Sequence, residues 1–328
     1  MIDRRTFEVL LASAVAAWPL GAKAQSSGRA VRIGRLAALS AATDTSVLEA
    51  LRTGLRERGW IEGRNFEFVV RYADGMLDRL PDLAKDLVRQ NVHVIIAGSN
   101  PGALAVKQAT NSIPIVFVTT GDPIAGGLVP SLARPGANLT GVTTQGLELS
   151  AKRLQLLKEL LPRMKRIAVL THPGSSYTEE FQTTVDATAR GLGVEIRMLA
   201  IHDPSEIGKA FALITQVQAD ALMVLADIMF MTHRQPLIEL VAKCRLPATF
   251  PERAFVTDGG LMFYGVGLAE MYRHSAIFVD KILKGAKPAD LAVEQPTRFE
   301  LVVNMKTATA LGVMLPPLIL AEATELIE

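Results

Sequence analysis

The sequence predicts an α/β protein of two lobes, each a parallel β-sheet flanked by helices, with a ligand cleft between them. Three observations predict it. Short apolar runs rich in Val, Ile and Leu alternate with stretches whose apolar residues recur at helical spacing, the pattern of βαβ units. Many of these runs stop on Gly, Ser, Thr, Asn or Asp, and in an open α/β sheet ligands bind outside the carboxyl ends of the strands. After Gly141 the same alternation begins afresh, which makes two similar lobes the economical architecture.

In the first half, VRIGRLAAL (31–39) is a strand, and the polar loop 40–45 supplies an N-cap for a helix reaching about Arg58. Gly59, Gly63 and Asn65 mark the exit, and FEFVVRYA alternates as a second strand. Residues 78–90 place Leu80, Leu83, Ala84, Leu87 and Val88 on one helical stripe. VHVIIAG is a buried strand ending in Ser99, Asn100, Pro101 and Gly102 at the start of another helix. IPIVFV then stops at Thr119, Thr120, Gly121, Asp122 and Pro123, and a turn over 134–138 leads into a short strand over 139–142.

In the second half, residues 150–161 form a helix with Leu154, Leu157, Leu160 and Leu161 inward, stopped by Pro162. RIAVLTH is a strand, 173–177 a loop, 178–192 a helix, VEIRMLAI a strand and 204–217 a helix. ADALMVLAD is a buried strand ended by Asp227, and helix 232–244 leads to LPATFP, a crossing strand. LMFYG and a helix over 268–283 follow. The single cysteine, Cys244, falls in an apolar helical pattern and is expected as a small core residue. It has no partner for an internal disulfide.

Ahead of the fold, Arg4, Arg5, Thr6 and Phe7 precede an apolar run over 9–20 and then Ala22-Lys23-Ala24. That is a charged region, an apolar region and a cleavage site, so residues 1–24 read as a removable export signal. The apolar run is too short to span a membrane, which needs about 20 residues. The paired arginines suit a twin-arginine route and also occur in ordinary signals. What remains is long enough for about two domains. With 35 Lys and Arg against 33 Asp and Glu, the chain has no electrostatic footprint for nucleic acid.

Function is expected at the strand ends. These present Ser40, Ser99, Asn100, Thr119, Thr120 and Asp122 in the first half, and Thr171, Ser175, Ser176, Tyr177 and Asp227 in the second, with Phe250 and Glu252 at the crossing strand. Helix N-termini follow Ser99 and Ser175, where free backbone N–H groups favour an anion. Each residue alone is explained as a cap or turn former; their recurrence at one edge of both lobes carries the expectation. Asp122 and Asp227 suit a ligand ammonium or hydroxyl as well as a loop role. Aromatics are only 5% of residues, so Tyr177 and Phe250 in cleft loops stand out as covers for an apolar ligand or as hinge packing.

Catalytic and cofactor signatures are missing. There is no G-x-S-x-G elbow, no P-loop, and no G-x-G-x-x-G after the first strand. The five histidines show no metal spacing. No cofactor and no enzymatic activity are expected.

The segments IPIVFVTTGDPIAGGLVPSLARPGANLTGV, LAVEQPTRFELVVNMKTATALGVMLPPLILAEATELIE and RTGLRERGWIEGRN resemble signature stretches of bacterial ABC transporter substrate-binding proteins related to the tryptophan/tyrosine-type binding proteins. The likeness runs from Val31 to Glu328. It implies a type I periplasmic binding fold of two Rossmann-like lobes, with crossings expected near 143–147, 248–252 and 287–295; with the export signal, a monomer in the periplasm is expected. The first lobe is then 30–146 plus 250–286, and the second 147–249 plus 287–328. It also implies delivery to a membrane permease driven by a separate ATPase.

For the ligand, the resemblance favours an amino acid, aromatic or branched, or a related small carboxylate. The helix N-termini after Ser99 and Ser175, with Thr119 and Thr120, would take a carboxylate, Asp227 or Asp122 an ammonium, and Tyr177 or Phe250 the side chain. Two other readings stay open: an extracytoplasmic sensor module on the same fold, and an exported α/β enzyme such as a hydrolase or transferase.

Overall fold

The computed structural model describes residues 30–144, 146–173 and 178–328; the expected export signal lies outside them. Strands β1 (Val31–Ala37), β2 (Phe66–Tyr72), β3 (Val94–Gly98), β4 (Ile115–Thr119) and β5 (Leu139–Thr143) form a parallel sheet in the order β2-β1-β3-β4-β5. β3 and β4 are buried along their whole length, as unbroken Val/Ile runs require when helices cover both faces. Helix α1 (Ala41–Arg56) follows β1, α2 (Leu80–Arg89) follows β2, and α3 (Asn100–Ala109) follows β3. Ser40 caps α1 as its sequence suggests, its side chain accepting from Thr43 N.

The second sheet holds β6 (Arg166–Thr171), β7 (Glu195–Ala200), β8 (Ala221–Val224), β9 (Ala248–Phe250), β10 (Met262–Gly265), β11 (Glu300–Asn304) and β12 (Glu325–Ile327), in the order β12-β11-β10-β9-β8-β6-β7. Its strands β6 to β10 repeat the order of β1 to β5. All pairings are parallel except β10 with β11. The helices are α4 (Gly146–Leu160), α5 (Thr178–Leu192), α6 (Ile207–Gln216), α7 (Ile228–Thr232), α8 (Arg234–Lys243), α9 (Arg253–Thr257), α10 (Leu268–Leu283), α11 (Met305–Leu311) and α12 (Pro317–Glu322).

Each sheet has a core on both faces. In the first lobe one core joins Ile33, Ile96 and Val116 to α1 and α10, and the other joins Ile95 and Phe117 to α2 and α3. In the second, one core gathers α4 and α5 and the other α6 and α8.

Two expectations about the path of the chain are corrected. Residues 250–265 belong with the second sheet, because β9 pairs with β8 and β10, and β10 with β11; 248–252 is therefore not a crossing. The chain crosses at Val266 and Gly267 instead, delivering Met271, Tyr272, Ala276 and Val279 of α10 to the first core. Residues 288–294 stay with the first lobe: Leu291 O accepts from Thr140 Oγ1 at 2.7 Å, and Glu294 N donates to Gly141 O at 3.0 Å. The first crossing passes Thr144, and the third lies between Glu294 and β11. Cys244 is corrected too. It caps the end of α8, whose buried residues are Leu237, Ile238 and Val241, and is exposed.

Candidate functional site

The carboxyl ends of β1, β3 and β4 face those of β6, β8 and β9 across a cavity of about 350 Å³, at the small end of the roughly 300–1,000 Å³ usual for small-molecule sites. Its apolar wall is aliphatic: Leu39, Val47, Leu77 and Leu104 from the first lobe and Ile228 and Met231 from the second. At the rim the lobes touch. Gly75, at φ 81°, leaves no room for a side chain, since a Cβ there would lie 2.8 Å from Thr232 Oγ1.

On the first-lobe wall Arg35, 1% exposed on β1, meets Asp44, 4% exposed in the first turn of α1, with Nη2 to Oδ1 at 2.6 Å. The guanidinium carbon sits 4.4 Å from the centre of the Tyr272 ring, a cation–π contact. Burial works against the Arg35 charge, but Tyr272 and Asp44 outweigh it and hold the guanidinium protonated. Burial also lifts the Tyr272 hydroxyl to about 12, against the pull of Arg35. This cluster requires glycine at 98, where a Cβ would run into Tyr272 Oη and the Arg35 guanidinium. Arg35 Nε and Asp44 Oδ2 have no hydrogen-bond partner among the described residues.

Beside it, β3 hands over to α3 through Ser99, a non-glycine residue at φ 68°. Such backbone strain costs on the order of 1–3 kcal/mol and is concentrated at functional sites. Ser99 Oγ accepts from Gly102 N at 3.3 Å, and Asn100 keeps Oδ1 buried and without a partner among the described residues. At the end of β4, Thr119 Oγ1 accepts from Gly121 N at 3.2 Å.

The second-lobe wall carries His172, Asp227 and Glu252. Asp227 caps α7, Oδ1 accepting from Met229 N at 2.8 Å, while Oδ2 lies 3.5 Å from His172 Nδ1. Burial raises the Asp227 carboxyl, with the Met229 N–H and His172 acting against it. Glu252, 7% exposed, follows β9 at the N-cap of α9 but does not cap it. Burial pushes its carboxyl up to about 8, with only the Arg153 charge pulling it down. Arg153 is itself buried on α4, its Nε donating to Tyr264 O at 2.7 Å. Between them a second space of about 10 Å³, also lined by Thr120 and Thr144, is close to the size of one water.

Of the residues expected from sequence, Ser99, Asn100, Thr119, Thr120, Asp227 and Glu252 line the cavity. Four do not. Ser40 is spent on capping α1, and Thr171 closes β6 one residue short of the wall. Asp122 Oδ1 accepts from Ile124 N and Ala125 N, closing a turn away from the cavity. Phe250 is fully buried and stacked on Phe255 at 4.9 Å, inside the second core. Ser175, Ser176 and Tyr177 fall outside the described residues. Arg35, Asp44, His172 and Tyr272 were not among the expected residues; an arginine at the centre of the strand run VRIGRLA, three residues after Arg32, was the available signal for the first.

A profile of the family described as ABC transporter substrate binding protein matches residues 34–327. A tyrosine-binding protein of Clostridioides difficile (strain R20291) is 26% identical over 258 residues, 78% of this chain and 74% of that protein. Among solved structures, a conserved domain protein from Vibrio cholerae O1 biovar El Tor is 26% identical with a TM-score of 0.84, covering 91% of this chain and 100% of its own. An ABC domain from Streptococcus pneumoniae in complex with L-Trp matches with the same score and coverage at 25% identity.

Proposed function

The chain belongs to the family of ABC transporter substrate-binding proteins, and we propose that it is the exported receptor of an importer. It captures one small solute between its lobes, closes on it, and presents the closed form to a membrane permease driven by a separate ATPase. The observation that carries this reading is the cavity walled by strand ends of both lobes. A solute touching both walls gains contacts in the closed state that an open state lacks, which is all that ligand-driven closure requires. The three crossings at Thr144, at Val266 and Gly267, and after Glu294 are the hinge. The export signal expected over 1–24 supports a receptor outside the cytoplasm, and no helix among the described residues is long and apolar enough to cross a membrane.

The solute class is an amino acid or a related small carboxylate. Two relatives support it, one named for tyrosine and one holding L-Trp. The wall suits an apolar side chain held by exclusion of water, since among the described residues Tyr272 is the one Phe, Tyr or Trp on it. Ser99, Thr119, Thr120 and the N-terminus of α3 are placed for a carboxylate. A thermal-shift screen of the mature protein against amino acids and small carboxylates tests the reading. The cognate solute raises the melting temperature and lowers the radius of gyration in solution scattering; binding without compaction would sink closure.

A further inference from the structure

The cavity wall holds three carboxyl groups, and their commitments differ. Asp44 is neutralised by Arg35 at 2.6 Å. Asp227 is engaged by Met229 N at 2.8 Å and stands 3.5 Å from His172. Glu252 is 7% exposed, faces the cavity, and makes no hydrogen bond or ion pair with any described residue; it does not cap α9. A buried carboxyl without partners is costly unless something else completes it. We propose that the Glu252 carboxylate is the counter-charge for a primary ammonium on the solute. The inference rests on the amino-acid reading and assigns the ammonium to a residue other than Asp227 or Asp122.

The charged and titratable groups facing Glu252 are few. Arg153 approaches from α4, Tyr272 from α10, and Arg35, Asp44, His172 and Asp227 share the cavity. In the empty protein burial keeps Glu252 protonated up to about pH 8. An arriving ammonium favours the charged form, so the carboxyl proton leaves to solvent as the solute binds.

Isothermal titration at pH 7 in phosphate and in Tris, whose ionisation heats differ, reads that proton directly. The probes are L-leucine, L-tyrosine and L-tryptophan, with their desamino acids. For the amino acid that binds, about one proton is released per site, and affinity rises close to tenfold from pH 6 to pH 7. Glu252→Gln abolishes the release and weakens that amino acid at least about tenfold, while the desamino acid changes less than about twofold. Glu252→Asp retains the release. Equal loss for both probes, or unchanged proton release in Glu252→Gln, overturns the proposal. A melting curve of each variant separates misfolding from lost binding. If no amino acid binds the wild type, the amino-acid reading fails by itself, and 3-methylbutylamine becomes the probe. Its binding to wild type and not to Glu252→Gln keeps the ammonium site; binding to neither removes it.

Discussion

Replacing Glu252 by Gln in the ligand-free protein should change how stability depends on pH. The carboxyl is 7% exposed and raised from 4.5 to about 8 by burial, against the pull of Arg153. Between those two values the unfolded chain has lost the proton and the folded chain has kept it. Stability therefore falls as pH rises through that window and levels off above it. At about 1.36 kcal/mol per unit, the whole window is worth roughly 5 kcal/mol, of which about 3 kcal/mol has accrued by pH 7. Gln cannot ionise, so the variant lacks this slope. The two proteins should be within about 1 kcal/mol at pH 5 and diverge towards pH 8, with Glu252→Gln the more stable. Urea unfolding at pH 5, 6, 7 and 8 measures the difference. Parallel curves, or a variant less stable than wild type at pH 8, would refute the claim that the empty site buries a neutral acid.

Other expected outcomes concern the first-lobe wall and the rim. Arg35→Met leaves Asp44 buried without its cation and should cost about 3–5 kcal/mol by urea unfolding, whereas Arg35→Met with Asp44→Leu should recover most of it. Gly98→Ala pushes a Cβ into Tyr272 and Arg35 and should lower stability by about 1–3 kcal/mol, with a weaker solute affinity in the same preparation. Thr232→Trp sits at the rim contact with Gly75 and off the cavity wall; it should weaken binding and enlarge the bound protein in solution scattering. Unchanged affinity there would argue that the lobes need not meet.

The fold was largely legible because its rules are local. Apolar runs such as VHVIIAG and ADALMVLAD are long enough for strands and bounded by turn formers, and all but one strand pairing is parallel. The second crossing was misread because LPATFP, a short strand pattern between Pro247 and Pro251, carries nothing that says which sheet it joins; only its pairing with β8 and β10 fixes it in the second lobe. The site was half legible. Ser99, Thr119 and Asp227 announce themselves as polar residues ending strands. Arg35, Asp44 and Tyr272 meet only when α10, more than 200 residues downstream of β1, returns to the first lobe, and no spacing in the sequence records that. Phe250 misled because a scarce aromatic beside a crossing suggests a cleft, whereas Phe255 five residues on gave it a stacking partner in the core.

The central claim is that the cavity between the lobes holds one small solute. Native mass spectrometry of the mature protein with an amino-acid panel tests it, run beside Leu104→Trp, which fills the cavity from α3. One amino acid should add to the wild type at one copy per chain and fail to add to the variant. Binding that survives Leu104→Trp in full would place the solute elsewhere and contradict the account.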